Sequence, residues 1–285
     1  MPLDIRFMSG NTSLEEADGV LLGCPLEDPL LWRKGAAEFP QALREVSRHF
    51  DSYHPALDRD LSRCRICDVG DVDLKGSDEI GMNAAFSKIE EAAFSYLQKD
   101  KFLLSVGGSH VITYPLLRAA LKRYPDLRVV SIGAGHYFEA HKTVDDESCL
   151  YHVVKDFLPR ESLAFLGVRM GTGESYQKNQ RRHRHIPPRV KKGLIERLPK
   201  LYHRPVYLTL DLNVLDPSLV PGATHPMWGG IHTLEWMETL SLLQGVSVVA
   251  MDISGISVPL DPSAISTIHG VLSVKECFLH FLPQK

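Results

Sequence analysis

The chain has 285 residues, of which 44% are hydrophobic, and its formal net charge is −3 at pH 7. This length is sufficient for a large buried core, and the charge gives no electrostatic basis for binding nucleic acid or an anionic membrane. Because we find neither a run of 18 apolar residues nor a signal-peptide pattern, we expect a cytoplasmic protein. Its partners are then small molecules or copies of itself.

Hydrophobic periodicity alternates between strands and helices along the chain, which is typical of a parallel sheet covered on both faces. We predict one domain over 1–285, an α/β fold with three layers (α/β/α) and a roughly eight-stranded, mostly parallel sheet. The predicted strands are 19–25, 63–69, 102–106, 128–132, 163–168, 206–212 and 246–252. The predicted helices are 39–50, 83–98, 114–123, 190–198, 234–243 and 266–281.

Two local features are interpreted as structural. The five cysteines are an odd number in a large chain, which favours reduced thiols over a disulfide framework. Cys64 and Cys67 have redox or zinc spacing, but they lie in a predicted strand and no second pair accompanies them. The basic segment 180–192 contains two prolines and no interleaved aromatic residues, so we interpret it as a solvated loop.

Polar side chains occur where two predicted strands end. The strand that starts at Val206 carries Asp211 and then Asn213, and Asp-Pro and Pro-Gly pairs follow. A metal-dependent hydrolase would have a carboxylate at both positions, because hard divalent cations prefer charged oxygen ligands. His110 follows a Gly-Gly-Ser turn after another strand, a position that can present an imidazole to a cleft.

Several ordered motifs together resemble the ureohydrolase family of arginases, agmatinases and formimidoylglutamases, and the histidine motif is most similar to agmatinase. The motifs span nearly the whole chain. They are Gly23-Cys-Pro25, the stretch from Gly35 to Arg44, Asp68-Val-Gly-Asp71, Gly107-Gly-Ser-His110 and the block from Asp211 to Gly230. The resemblance implies a centre of two Mn²⁺ ions whose bridging hydroxide attacks a guanidinium carbon and releases urea.

The same resemblance implies that most of this centre is missing. Two of its six ligand positions are matched, by His110 and Asp211. We expect these two residues to be remnants of the metal site. The family's Asp-Ala-His-x-Asp turn corresponds to the stretch from Gly133 to Tyr137, so that Gly133, Gly135 and Tyr137 stand in place of three ligands. Together with Asn213, four of the six ligand positions have changed.

The resemblance also assigns roles around the metal position. A glutamate that holds the substrate guanidinium in the family corresponds to Gly255, and His152 is the candidate for a proton-shuttling histidine. We expect the substrate cleft to be formed by His136, Tyr137, Asn213 and His225.

A second register remains open. Glu139-Ala-His141-Lys-Thr143 also resembles the Asp-Ala-His-x-Asp turn, with Asp145 and Asp146 just beyond, but it needs six extra residues after the strand. A single-metal site could combine His110 and Asp211 with some of His136, Glu139, His141 or His225.

Our leading expectation is a non-catalytic ligand-binding or regulatory homologue that holds no cofactor, has small amines or guanidines as possible ligands and forms trimers or hexamers. The alternative is an active, agmatinase-like hydrolase of linear amidine or guanidine C–N bonds with a rearranged or single-metal site. A structural protein that binds no small molecule is the third hypothesis.

Overall fold

The computed structural model describes residues 5–75, 81–174, 177, 185–186 and 203–284. Its centre is an eight-stranded sheet in which every neighbouring pair of strands is parallel. The strands are β1 (Gly19–Cys24), β2 (Ile66–Asp71), β3 (Phe102–Gly107), β4 (Arg128–Ile132), β5 (Leu163–Leu166), β6 (His185–Ile186), β7 (Val206–Asp211) and β8 (Val248–Ser254). Their order across the sheet is β2-β1-β3-β8-β7-β4-β5-β6.

Helices cover both faces of the sheet. They are α1 (Phe39–Ser47), α2 (Met82–Leu97), α3 (Thr113–Arg123), α4 (Cys149–Asp156), α5 (Thr233–Leu242) and α6 (Ile265–Phe281). Helices α1, α5 and α6 pack together on one side, and α2, α3 and α4 pack together on the other. The three-layer α/β/α architecture and the eight-stranded parallel sheet predicted from the sequence are therefore confirmed.

Side-chain alternation explains the two cores. Successive residues of a strand point to opposite faces, so in β1 Leu21 joins one hydrophobic cluster while Val20 and Leu22 join the other. All six residues of β1, β3 and β7 are buried, as expected for strands covered on both faces.

One sequence motif has a clear structural role. The buried guanidinium of Arg44 in α1 donates from Nε to Asp68, at 2.8 Å, and from Nη1 to Asp71, at 2.5 Å. A buried charge needs such a partner to offset its desolvation. Asp68 and Asp71 therefore tie β2 to α1.

The element boundaries differ from the prediction in a few places. β2 begins at Ile66 rather than at residue 63, because Leu61–Arg63 forms a 3₁₀ turn in which Asp60 accepts from the backbone amide of Ser62. Helix α4 and the two-residue strand β6, which falls within the basic segment 180–192, were not predicted. The predicted helix 190–198 and the rest of that segment lie outside the described residues.

All five cysteines are free and buried. Among the described helices, none combines the length and the apolar character that crossing a membrane would require.

Candidate ligand cleft at the carboxyl edge of the sheet

The sheet order brings the predicted site positions to one edge. Strands β3, β8, β7 and β4 are consecutive neighbours and parallel, so their carboxyl ends lie side by side. His110 follows β3, Gly255 follows β8, Asp211 ends β7 and Gly133 follows β4. This edge is where open α/β folds bind their ligands.

Tyr137 fills the space between His110 and Asp211. Its hydroxyl donates a hydrogen bond to Oδ2 of Asp211, and its ring centroid lies 4.1 Å from that of the His110 imidazole. The side chain is only 5% exposed, and the backbone adopts a left-handed φ of 51° that is uncommon for a residue of this size. Tyr137 therefore occupies the middle of the site as part of the packed interior.

Three glycines surround this tyrosine and its acceptor. A Cβ atom at Gly133 would lie 2.9 Å from Cε2 of Tyr137, and a Cβ at Gly135 would lie 3.2 Å from Cε1 of the same ring. A Cβ at Gly255 would overlap Oδ1 of Asp211, and this glycine also has a φ of +100°. The volume that side chains at these positions would need is thus taken by Tyr137 and Asp211.

Asn213 binds the same carboxylate. Its backbone amide donates to Oδ1 of Asp211 and its side-chain amide donates to Oδ2, both at 2.9 Å. Its side-chain oxygen accepts from the backbone amide of His225, at 2.9 Å. Asn213 therefore links Asp211 to the loop that carries His225, and its amide donates where a metal-binding carboxylate would accept.

His110 is neutral in this setting. Its Nδ1 lies 3.2 Å from the hydroxyl of Ser254, and burial lowers the pKa of the imidazole to about 4. Its Nε2 is buried without a hydrogen-bond partner. Burial and the nearby Asp211 raise the pKa of Tyr137 well above its usual value, so this hydroxyl stays a proton donor.

This donor set does not fit a centre of two manganese ions. Both oxygens of Asp211 already accept hydrogen bonds, and the amide of Asn213 supplies no negative charge. Gly133 and Gly135 have no ligand atom. Of the two matched positions, only His110 has a ligand atom without a hydrogen bond, its Nε2, and one imidazole cannot hold two hard divalent cations.

The residues of the second register have other partners. His141 lies 2.7 Å from Oδ2 of Asp145, and Oε1 of Glu139 accepts from the hydroxyl of Thr172, at 3.4 Å. Within the described part of the chain, no three histidine, cysteine, aspartate or glutamate side chains are arranged to hold a metal ion. It is the stretch from Gly133 to Tyr137 that lies around Asp211.

A cavity of about 210 Å³ opens beside the tyrosine. It is lined mainly by His136, Tyr137, Glu139, Glu147, Met170 and His225. Three of the four predicted cleft residues thus line one cavity. Asn213, the fourth, is fully buried and is connected to the cavity through the amide of His225.

His152, the candidate proton shuttle, lies in α4. It is 7% exposed, its ring is 5.4 Å from that of Tyr151 and 6.4 Å from that of Tyr114, and its Nε2 has no hydrogen-bond partner. It is absent from the lining of the 210 Å³ cavity. The structure therefore gives His152 no contact with a ligand in this cavity.

Two further groups were not assigned from the sequence. Asp28, Asp145 and Asp146 line a second cavity, of about 140 Å³, that also contacts His225 and Glu147. The adjacent aspartates at 145 and 146 were the available signal. Arg169 donates to the backbone carbonyls of two loops that flank the cleft. Its acceptors are Asn213, Val214, Leu215, Met227 and Trp228.

Asp252 forms a buried polar cluster within β8. Its carboxylate accepts hydrogen bonds from the hydroxyls of Tyr207, at 2.6 Å, Thr209, at 2.9 Å, and Thr113, at 3.1 Å. Burial outweighs these bonds and raises the pKa of Asp252 to about 7.

Comparison with known proteins identifies the family. The model of the arginase family matches residues 17–280. The chain belongs to the arginase family. An agmatinase from Bacillus subtilis is 31% identical, with 97% of this chain and 96% of that protein aligned.

Solved structures of arginase-family proteins share the fold. A putative agmatinase from Clostridium difficile superimposes with a TM-score of 0.86 at 23% identity, covering 94% of this chain and 98% of that one. A formiminoglutamase from Trypanosoma cruzi, solved with Mn²⁺, superimposes with a TM-score of 0.83 at 19% identity, covering 94% and 95%. At these sequence identities the superpositions show that the fold is shared, and nothing about function.

Proposed function

We propose that this arginase-family chain is a non-catalytic homologue whose cleft binds a small amine or guanidine. The observation that carries the proposal is the hydrogen bond from Tyr137 to Asp211. Because of this bond, the carboxylate of Asp211, the remaining acidic ligand position, already accepts from the protein, and the ring of Tyr137 fills the space around it.

The chemistry of the site supports the same proposal. Hydrolysis of a guanidinium at neutral pH needs an activated water, which in the family comes from the metal pair. The buried groups beside Tyr137 provide no such activation, since His110 is enclosed and has a pKa of about 4. Gly255 supplies no carboxylate to hold a guanidinium, a contact worth about 1.5–3 kcal/mol per charged hydrogen bond.

A cationic ligand is the type that the 210 Å³ cavity favours. The cavity combines the carboxylates of Glu139 and Glu147 with the aromatic ring of Tyr137. Carboxylates and aromatic faces both attract ammonium and guanidinium groups. We extend the proposal to self-association as a trimer or hexamer, which size-exclusion chromatography with light scattering would test.

A second candidate function is hydrolysis of a linear amidine or guanidine. It is favoured by the agmatinase from Bacillus subtilis, whose 31% identity extends over almost the whole chain. Since related proteins often share an activity, the hydrolysis hypothesis needs a direct test.

One experiment separates the two. The full chain, purified after incubation with Mn²⁺, Zn²⁺ or Ni²⁺, is analysed for metal content and assayed for urea release from agmatine and arginine. The proposal expects less than one metal per chain and no urea above a protein-free blank, together with calorimetric binding of an amine or guanidine. Stoichiometric metal with urea release would establish the hydrolase instead.

A further inference from the structure

Arg169 lies in the loop that follows β5 and reaches across two other loops of the cleft. Its Nη2 donates to the carbonyl of Asn213, at 2.7 Å, and its Nη1 donates to that of Val214, at 3.0 Å. The same Nη2 donates to the carbonyl of Met227, at 2.7 Å, and Nε donates to that of Trp228, at 3.1 Å. One guanidinium thus bonds both the turn after β7 and a second loop beyond it.

This second loop, 225–230, is here called the His225 loop, and its side chains contribute little packing. Met227 and Trp228 are 38% and 86% exposed, and Gly229 has no side chain. Hydrophobic burial therefore does little to fix the path of this loop. Its conformation depends mainly on hydrogen bonds to its backbone.

Two further side chains bond the backbone of the His225 loop. Oδ1 of Asn213 accepts from the amide of His225, at 2.9 Å. Oδ2 of Asp216 accepts from the amides of Gly229 and Gly230, at 3.1 and 3.2 Å. These side chains bind amides at the two ends of the loop, and the guanidinium binds the carbonyls in its middle.

The backbone of Arg169 is itself fixed to a neighbouring strand end. Its amide and that of Met170 both donate to the carbonyl of Ala134, at 2.8 and 3.0 Å. Ala134 lies between the two glycines that adjoin the Tyr137 ring, and Met170 lines the 210 Å³ cavity. Arg169 thus connects the walls of the cleft that are formed by the loops after β4, β5 and β7.

A guanidinium is well suited to this set of acceptors. It carries five N–H donors in a rigid plane, whereas an ammonium has three donors on a compact group. Bonds from a charged donor to a carbonyl are also stronger than bonds between neutral groups. A lysine at this position would keep the charge but would bond to fewer of the carbonyls.

The His225 loop places the His225 imidazole between two cavities. His225 and Glu147 line both the 210 Å³ cavity beside Tyr137 and the 140 Å³ cavity that Asp28 also lines. A displacement of this loop would therefore change the shape of both spaces at once.

We propose that Arg169 is the positioning residue of the ligand cleft. It holds the His225 loop so that the imidazole of His225 stands at the junction of the two cavities and contacts a ligand there. Arg169 is not among the described residues that line either cavity, so it acts through His225. This inference rests on the proposed function, in which the cleft holds a ligand.

Hydrogen exchange of backbone amides, followed by mass spectrometry on the full chain, tests the positioning directly. In Arg169→Lys we expect the amides of 224–231 to exchange roughly tenfold faster or more, because bonds from a charged donor are lost. The amides of β1 and β3 should keep their wild-type rates. Unchanged exchange in 224–231 would overturn the inference. Equal acceleration in the loop and in both strands would also overturn it, since that result indicates global destabilisation.

Arg59→Lys is the matched control. Nη2 of Arg59 also donates to a backbone carbonyl, that of Leu282, at 2.6 Å, and neither residue is among those that line the two cavities. This variant should leave the exchange of 224–231 unchanged. Faster exchange there in Arg59→Lys would mean that the loop responds to the loss of any such bond, which contradicts a specific role for Arg169.

Calorimetry with agmatine as the probe connects the loop to the cleft. Arg169→Lys should weaken agmatine binding several-fold. His225→Ala should weaken it as well but leave the exchange of 224–231 at the wild-type rate, because the amide that donates to Asn213 is retained. A purely structural role for Arg169 would not produce this pattern. Unchanged affinity in either variant contradicts the inference, and His225→Ala decides the matter if Arg169→Lys does not fold.

The wild-type chain separates this inference from the proposed function. If it releases urea from agmatine, or binds no agmatine, the proposed function fails, and the exchange rates in Arg169→Lys still decide whether Arg169 positions the loop. If it binds agmatine without urea release and Arg169→Lys behaves as the wild type does, the proposed function stands and the inference fails.

Discussion

The Tyr137 hydroxyl donates to Oδ2 of Asp211, although the two residues lie 74 positions apart, Asp211 at the end of β7 and Tyr137 in the loop after the neighbouring strand β4. This contact makes a tyrosine the partner of the strand-end carboxylate at the centre of the cleft. Both side chains are buried, so the bond contributes to stability as well as filling the site.

Removing the Tyr137 hydroxyl should destabilise the fold. In Tyr137→Phe, Oδ2 of Asp211 loses one donor in a buried setting, and we expect unfolding to be easier by about 2 kcal/mol. Urea denaturation followed by circular dichroism measures the change. Tyr53→Phe is the matched control, because Tyr53 is 46% exposed and its hydroxyl bonds Asp58 at the surface. Equal effects in both variants would mean that the Tyr137 bond has no special weight.

A side chain at position 255 should be poorly tolerated. Gly255→Ala adds a Cβ that overlaps Oδ1 of Asp211 at a φ of +100°. Gly245→Ala is the control, since Gly245 has a φ of +89° and nothing within 4 Å of the added atom. We expect about 1 kcal/mol of destabilisation at 245 from backbone strain, and about 2 kcal/mol more at 255. Equal losses would show that Asp211 moves aside freely.

Metal binding should return only when Tyr137 is replaced together with the other ligand positions. We expect a chain with Gly133→Asp, Gly135→His, Tyr137→Asp and Asn213→Asp to take up Mn²⁺ and to unfold at a higher temperature in its presence. Metal content after dialysis and a thermal scan measure both.

The control for this experiment carries Gly133→Asp and Gly135→His but keeps Tyr137. It should take up no metal and be less stable, because the Cβ atoms at 133 and 135 would lie 2.9 and 3.2 Å from the ring of Tyr137, which would have to shift. If the variant with all four substitutions folds but binds no metal, the stretch 133–137 does not correspond to the ligand turn.

The contribution of Asp252 to the stability of the protein should fall as the pH rises from about 4 to 7. The pKa of Asp252 is about 7 in the folded chain against 3.8 when unfolded, so in this window the folded state holds a proton that the unfolded state has released. The contribution is complete below pH 4 and is lost as the pH rises through 7, by at most about 1.4 kcal/mol per pH unit.

Urea denaturation at pH 5, 6, 7 and 8 tests this dependence. Asp252→Asn should flatten it, whereas Asp126→Asn, at a surface carboxylate, should leave the wild-type slope unchanged. A slope that survives Asp252→Asn would assign the titration to another buried group. Asp146 is the first to consider, because its raised pKa acts in the same direction.

Periodicity and ordered motifs were sufficient to predict the three layers, the parallel sheet and most element positions. The family resemblance placed His110 and Asp211 in one site, and in the structure Tyr137 contacts both of them. Helix α4 was missed since its eight residues, Cys149–Asp156, are too few for a clear periodic signal.

The filling of the site could not be predicted from spacing. Tyr137 points into the site because its backbone is left-handed and because Gly133 and Gly135 have no side chains that would occupy the volume of its ring. Neither condition can be read from the spacing of residues in the sequence. The second cavity, of about 140 Å³, was missed for a similar reason. Asp28 and Asp146 are 118 residues apart, and only the fold brings them together.

The packing of Tyr137 against two glycines also restricts how the chain can evolve. A side chain added at Gly133 or Gly135 would place its Cβ 2.9 or 3.2 Å from the ring of Tyr137, so the ring must shift to accept it. Replacing the tyrosine first leaves a void in the core. Single substitutions at Gly133, Gly135 or Tyr137 are therefore each expected to lower stability before a set of ligands is complete.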